Sequence, residues 1–212
     1  LGRAEVSPSH VAAGATAGLR IVYSVDKAGL PAGTEVYLVT RGQAPFGDAF
    51  GGFEVSGPAG VTANRGKRGF VCGRDLAPGE SVGLTATPFE WTPLAGRREI
   101  KVAFRFPDRQ AEQRLCEPLV VTVVPGPAER LDVTLPATRR PGKSMQINIT
   151  ARDRNDNRTG IKSAIHAECG GDLCIETCLS NGRSCLSLEP EGTNPLRVTA
   201  RCPQVGLTGM SN

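Results

Sequence analysis

The sequence predicts an all-β protein from three observations: alternating apolar residues, abundant turn-forming residues and no stretch typical of a long helix. The chain of 212 residues contains 26 glycines and 16 prolines, and only 39% of its residues are hydrophobic. This composition suits many short strands separated by turns. No apolar run approaches the roughly 18 residues that a membrane-spanning helix needs, so we expect no membrane span.

The first 124 residues show the alternation that half-buried strands require, because successive side chains of a strand point to opposite faces. The clearest alternating sets lie at residues 19–25, 36–38, 82–86, 100–106 and 119–123. The glycine-rich stretch at residues 47–60 predicts a long loop or an irregular edge.

Residues 124–129, Val-Pro-Gly-Pro-Ala-Glu, are the best candidate for a domain boundary. Two prolines around a glycine cannot extend a central strand, and they form a short, semi-rigid connection. The alternation then restarts at residues 131–135, 145–151, 165–167, 186–188 and 196–200, of which the last set is expected to form the final strand. We therefore predict two tandem immunoglobulin-like β-sandwich modules, at residues 1–124 and 130–212, joined by a linker at residues 125–129.

Residue types that carry hydrolytic or metal chemistry are scarce. Catalytic triads and hydrolytic metal sites usually use histidine, and the chain has only His10 and His166. We expect His10 at the surface, and His166 to have a structural role on a strand between Ile165 and Ala167. No His-Glu-x-x-His, Gly-x-Ser-x-Gly or phosphate-binding motif occurs. The sequence therefore predicts a chain that is not an enzyme, with no catalytic residue, cofactor or metal ligand.

The acidic stretch at residues 153–157, Asp-Arg-Asn-Asp-Asn, has the spacing of the start of an EF-hand calcium loop. However, Arg158 occupies the position that requires glycine, and Ala164 stands where the bidentate glutamate belongs. The favoured interpretation is a turn in which Asp and Asn side chains bond their own backbone. A weak calcium site between the modules is the alternative.

Seven cysteines are many for a reducing compartment, and they predict a disulfide framework in an exported protein that is extracellular, at the cell surface or periplasmic. The first module has two, for which an internal bridge is predicted, and the second has five, so one is left over. A zinc site is the weaker alternative, because the cysteine spacing is looser than in Cys-x-x-Cys knuckles. The disulfide candidates are Cys72, Cys116, Cys169, Cys174, Cys178, Cys185 and Cys202.

The charge pattern does not indicate a nucleic-acid-binding protein. The net charge is +4, and the basic clusters at residues 65–68 and 139–143 lie beside glycine or proline, which is typical of solvated turns. Nucleic-acid binding favours a concentrated basic stripe with stacking aromatic side chains. Aromatic residues make up only 5% of the chain.

A pair of aromatic residues, Phe89 and Trp91, lies between Pro88 and Pro93. Exposed aromatic rings often bind sugars, so a carbohydrate platform is one interpretation. The favoured interpretation is that both rings close one end of the sandwich.

Several segments share a pattern with known exported proteins. The pattern begins with Gly-Arg-Ala-Glu-Val-Ser-Pro-Ser at residues 2–9, followed by Gly14, Tyr23 and Gly-Leu-Pro-Ala-Gly at residues 29–33. Its remaining segments are residues 127–131, 141–142, 151–157, 196–198, 206–207 and 211–212. This pattern resembles the amino-terminal immunoglobulin-like region of uncharacterised exported bacterial proteins that carry a downstream metal-dependent hydrolase domain of the PHP type.

The resemblance implies that these modules are an accessory or docking region and that the natural polypeptide continues into the hydrolase. The Trp-Gly-Asp-Leu-His motif that supplies metal ligands in that family does not occur in this sequence, so no metal or catalytic residue is carried over. The alternative function is a cell-surface adhesin or an extracellular filament subunit. Such a protein acts through protein–protein contacts or self-association, because sandwich modules present loops and strand edges to partners.

Overall fold

The structure is a computed structural model, and it describes residues 2–39, 52–109, 111–115, 117–137, 143–169, 172–189 and 196–211. The chain divides into two units, Leu1–Val124 and Pro125–Asn212. In the described residues, no helix is long and apolar enough to cross a membrane.

The first unit is a sandwich of two β-sheets. Its strands are β1 Arg3–Ser7, β2 His10–Ala12, β3 Thr16–Ser24, β4 Glu35–Val39, β5 Phe53–Ser56, β6 Val61–Asn64, β7 Gly69–Cys72, β8 Ser81–Glu90, β9 Gly96–Arg105, β10 Gln113–Arg114 and β11 Leu119–Val124. One sheet has the order β1-β3-β8-β5, and the other has the order β2-β11-β9-β4-β7-β6, with β10 beside β9. The pairs are antiparallel except for β2 with β11.

Alternation along the long strands builds the core of the first unit. In β3, Leu19, Ile21 and Tyr23 are buried, while Arg20 between them is exposed. Burying a large aliphatic or aromatic side chain contributes about 1.5–3 kcal/mol, so these inward faces hold the two sheets together.

The second unit is also a sandwich of two β-sheets. Its strands are β12 Arg130–Thr134, β13 Met145–Arg152, β14 Ile165–Cys169, β15 Asp172–Thr177, β16 Arg183–Leu188, β17 Val198–Cys202 and β18 Leu207–Met210. The sheet orders are β12-β13-β16 and β15-β14-β17-β18, and their pairs are antiparallel. The predicted fold class, two tandem immunoglobulin-like β-sandwich modules, is confirmed.

One prediction about individual strands is wrong, and another holds in one of its alternatives. Residues 47–51 of the stretch predicted as a long loop or an irregular edge lie outside the described residues, and β5 within that stretch pairs with β8 at the edge of its sheet. Its four residues are too few to produce a clear periodic pattern. The expected last strand, β17, is followed by β18, whose Gly209 packs directly against the backbone of Leu131. A glycine at this contact interrupts the apolar alternation by which a strand is recognised.

The proline-rich segment after Val124 is bound to the second unit. The backbone N–H of Gly126 donates to the Asp153 carboxylate at 2.8 Å, and its carbonyl accepts from the Thr159 hydroxyl at 2.8 Å. The Glu129 N–H donates to the carbonyl of Arg152 at 2.8 Å. The predicted linker is therefore held by specific partners and forms part of the second sandwich.

Candidate binding groove

A polar groove lies on the outer face of the β12-β13-β16 sheet. Its volume is about 580 Å³. We call it the arginine groove, and its lining residues are Thr134, Asn148, Thr150, Arg152, Arg158 and Arg183. All of these side chains are polar, and three carry a positive charge.

Strand β13 supplies one wall of the groove through simple alternation. Ile147 and Ile149 are fully buried in the core, which directs Asn148, Thr150 and Arg152 to the outer face. The buried isoleucines fix the register, because a shift by one residue would expose them and bury the arginine.

The neighbouring strand and a turn bring in two more arginines. Arg183 is the register partner of Thr150, and its guanidinium donates to the Asn148 side-chain oxygen at 2.6 Å. Arg158 returns beside the end of β13 through a bridge with Arg152. The methylene stem of Arg158 passes next to Gly182, where a Cβ would lie only 2.9 Å from Arg158 Cγ.

The turn that returns Arg158 to the sheet is organised by a buried carboxylate. Asp153 is only 1% exposed and accepts N–H groups of Gly126, Asn155 and Asn157 at 2.8, 2.9 and 2.8 Å. Burial alone raises the pKa of Asp153, but these bonds and the Asn157 amide outweigh it and hold the pKa below its ordinary value. The structure therefore forms the predicted Asx turn, in which both carboxylate oxygens accept N–H groups.

An ion-pair network borders the groove. The guanidinium of Arg152 contacts Asp132 at 2.5 Å and Asp156 at 3.5 Å. Arg130 contacts the same two carboxylates, with 3.1 Å to Asp132. Each aspartate is therefore shared by two arginines, so the charges of these four residues balance.

The charges of Arg158 and Arg183 are not balanced in this way. Among the described residues, neither side chain has a carboxylate within salt-bridge distance, and the guanidinium of Arg183 donates to the neutral amide of Asn148. The arginine groove thus has two positive charges in excess. Spacing in the sequence did not reveal the groove, because its residues come from three strands and a turn.

Neither of the two histidines is among the residues that line this groove. His10 is exposed on β2 in the first unit, and His166 is half-buried on β14 in the second unit. In the part of the chain that the structure describes, no group of three His, Cys, Asp or Glu side chains is arranged to hold a metal ion.

The cysteines differ widely in exposure. No disulfide joins any two of Cys72, Cys178, Cys185 and Cys202. Burial raises the pKa of the Cys72 thiol from 9.0 to about 11. The side chains are buried (Cys72 and Cys202), half-buried (Cys169) or exposed (Cys178 and Cys185). Cys116 and the side chain of Cys174 lie outside the description, so the predicted bridges stay predictions.

The aromatic pair considered as a carbohydrate platform is inside the first unit. Trp91 is fully buried and Phe89 is 8% exposed, and their ring centroids are 5.0 Å apart. The indole N–H of Trp91 donates to the Ala17 carbonyl at 3.2 Å. These rings are part of the core, so they cannot stack on a sugar.

The first unit contains a smaller concavity of about 360 Å³ near the end of β9. Two of its three charged side chains have local partners: Glu35 forms an ion pair with Lys67, and Arg109 lies 5.7 Å from the centroid of the Phe106 ring. The third is Arg105, so this concavity has fewer unengaged charges than the arginine groove, which is the better candidate for a binding site.

No protein-family model matches the chain, and no curated protein matches it. Solved structures with a similar chain path include a protein described as membrane anchored from Corynebacterium diphtheriae, at 15% identity and a TM-score of 0.33. They also include β-glucuronidase 3 of Bacteroides uniformis, at 13% and 0.34, and the FdeC adhesin of Escherichia coli, at 17% and 0.34.

These alignments cover 98%, 99% and 100% of this chain, and 52%, 24% and 64% of the three matched chains, respectively. The chain therefore spans less than two thirds of each matched chain. At these identities and TM-scores, the similarities carry no argument about function, and the fold assignment depends on the strand topology of the two sandwiches.

Proposed function

We propose that these two modules are a non-catalytic binding region of an exported protein, and that the arginine groove is the surface that contacts the partner. The observation that carries this proposal is the groove itself. It is a concave surface whose side chains come from three strands and a hydrogen-bonded turn, and two of its charges have no acidic partner among the described residues. Pre-organised polar groups of this kind are typical of recognition sites.

A function as a surface adhesin or interaction module fits this arrangement. The sandwich core needs only the inward faces of its sheets, so the outward face is free to bind without cost to stability. The association with a downstream hydrolase is supported by the sequence resemblance and stays a prediction of the same proposal. Whether the protein is an adhesin or continues into a hydrolase, these modules attach it to its partner.

A steric block of the groove tests this function without assuming any ligand chemistry. Thr150→Trp places a large neutral side chain in the middle of the groove on an outward-facing strand position. The matched control is Thr208→Trp, at an exposed position on β18 in the other sheet. Thermal unfolding of both variants checks that the fold is intact.

Beads coated with the full 212-residue chain are then passed over surfaces coated with purified polysaccharides, extracellular proteins or bacterial envelope. We expect retention on at least one surface, lost with Thr150→Trp and kept with Thr208→Trp. Retention on no surface, or equal retention by both folded variants, would overturn the proposal.

A further inference from the structure

We infer that the arginine groove binds an acidic polysaccharide, a chain of sugars that carries carboxylate or sulfate groups, with Arg158 and Arg183 contacting the anionic groups. This inference depends on the proposed binding function and specifies its ligand. It concerns a different site from the aromatic pair Phe89 and Trp91, which is buried in the first unit.

Charge is the first argument for an anionic ligand. The carboxylates of Asp132 and Asp156 neutralise Arg130 and Arg152 at the border of the groove, but Arg158 and Arg183 have no such partner among the described residues. Two guanidinium groups that line one concavity repel each other, and an oxyanion between them removes that repulsion. Guanidinium groups also match the planar, bidentate geometry of carboxylates and the oxygens of sulfate.

The remaining lining residues decide between a saccharide and an acidic protein segment. Stable protein–protein contacts usually centre on a buried aromatic or aliphatic anchor. The described lining contains no such anchor, because its uncharged residues are Thr134, Asn148 and Thr150. Their hydroxyl and amide groups both donate and accept hydrogen bonds, which suits the hydroxyl groups of a sugar ring.

The fold also restricts the Arg183 side chain and the backbone beside Arg158 before any ligand arrives. The Asn148 amide holds the Arg183 guanidinium at 2.6 Å. The bond from the Thr159 N–H to the Ala151 carbonyl, 3.0 Å long, anchors the backbone next to Arg158. Restricting a side chain, or the backbone that carries it, lowers the entropy that is lost on binding.

The test uses the full chain and five probes: polygalacturonate, dextran sulfate, neutral dextran, inorganic sulfate and poly-L-glutamate. The groove variant is Arg158→Gln with Arg183→Gln. The control, Arg197→Gln with Arg201→Gln, removes the same charge from exposed positions of the second unit outside the groove. Affinity is measured by calorimetry at two salt concentrations, because screening weakens exposed charge pairs.

We expect polygalacturonate or dextran sulfate to bind and neutral dextran not to bind. Each groove arginine should contribute about 10- to 100-fold in Kd, the usual effect of one charged hydrogen bond, so the double variant should lose at least about 100-fold while the control changes little.

Three results would overturn the inference: inorganic sulfate binding as tightly as the polymers, poly-L-glutamate binding at least as tightly through the same arginines, or equal losses in the groove and control variants. The first result indicates a small-anion site, the second an acidic protein partner, and the third unspecific charge attraction. If Thr150→Trp abolishes bead retention but the arginine variants do not, the binding function stands and only the acidic-polysaccharide inference fails.

Discussion

Replacing Asp153 with alanine is the sharpest test of how the second unit is held together. The Asp153 carboxylate accepts backbone N–H groups from Gly126, Asn155 and Asn157 and is 1% exposed. Asp153→Ala leaves these three donors without their acceptor. It also removes one of the three bonds that hold the segment preceding β12, while the bonds from the Thr159 hydroxyl to Gly126 and from the Glu129 N–H to Arg152 remain.

The size of the effect follows from the number and the burial of the lost bonds. A hydrogen bond to a charged group contributes about 1.5–3 kcal/mol when it is fully buried. The three donor residues are only half-buried, so water replaces part of each bond and about 1 kcal/mol per donor is a reasonable value. We therefore expect the free energy of unfolding of the second unit to fall by about 3 kcal/mol, or about 12–24 °C in Tm for a unit of this size.

Two buried cysteines allow each unit to be followed separately. Cys72 lies in the core of the first unit and Cys202 in the core of the second, and both side chains are fully buried. Pulsed alkylation across a denaturant series under reducing conditions, read by peptide mass spectrometry, gives one unfolding curve for each thiol. Asp153→Ala should shift the Cys202 curve to lower denaturant by the amount worked out above.

The matched control is Asp75→Ala. The Asp75 side chain is exposed and accepts a single backbone N–H, that of Ala32, at 2.7 Å. Its loss should be a small fraction of that expected for Asp153. Equal and small shifts in the two variants, below about 1 kcal/mol each, would refute the reasoning that bond number and burial determine the effect.

Other perturbations test the remaining physical arguments. The folded-state pKa of Asp153 lies below its ordinary value of 3.8, so the ionised carboxylate stabilises the folded second unit above that pH. This stabilisation is lost as the pH falls through the folded-state pKa. The free energies of unfolding of wild type and Asp153→Ala should therefore converge in acid titrations. Gly209→Ala places a Cβ 2.6 Å from the carbonyl carbon of Leu131 and should destabilise the second unit by more than about 4 kcal/mol in a thermal melt. Gly160 has open space around it, so the stability of Gly160→Ala should stay within about 0.5 kcal/mol of the wild type in the same measurement. Burial raises the pKa of the Cys72 thiol from 9.0 to about 11. The free energy of unfolding of the first unit should therefore fall by about 2–3 kcal/mol as the pH rises through this window. Cys72→Ala should abolish this pH dependence in denaturation curves followed by the fluorescence of the single tryptophan.

Long strands with strict alternation were predictable from the sequence because they are half-buried along their whole length. Strands β3 and β13 have this property, and the apolar sets at residues 145–151 and, except for Val25, 19–25 fall on them. In β9 the alternation is interrupted, because Val102, Ala103 and Phe104 are all buried, but most of the apolar set at residues 100–106 still falls on the strand. The short strands β5 and β18 were not predictable, because pairing with a neighbour defines them more than their own residues do. In β18, a glycine occupies the inward position that packs against a backbone.

The arginine groove was not predictable for a different reason. Arg152, Arg158 and Arg183 are far enough apart in the sequence that no motif links them, and only the register of β13 with β16 and the turn after β13 bring them together. The net charge gives no indication of them either, because a net charge of +4 over 212 residues does not show which arginines form ion pairs. Only the contacts in the structure show that Arg158 and Arg183, unlike Arg130 and Arg152, have no carboxylate partner among the described residues.

The acidic stretch at residues 153–157 contributes both to the stability of the second unit and to the position of the arginine groove. Its aspartates and asparagines initially suggest a cation site, but in the structure Asp153 accepts backbone N–H groups and Asp156 pairs with arginines. The same turn anchors Gly126 at the start of the second unit and returns Arg158 to the sheet. A residue that contributes to stability therefore also positions the groove, and Asp153→Ala should weaken polygalacturonate binding even under conditions in which the second unit remains folded. Unchanged affinity in the folded variant would show that Arg158 is positioned by the sheet alone.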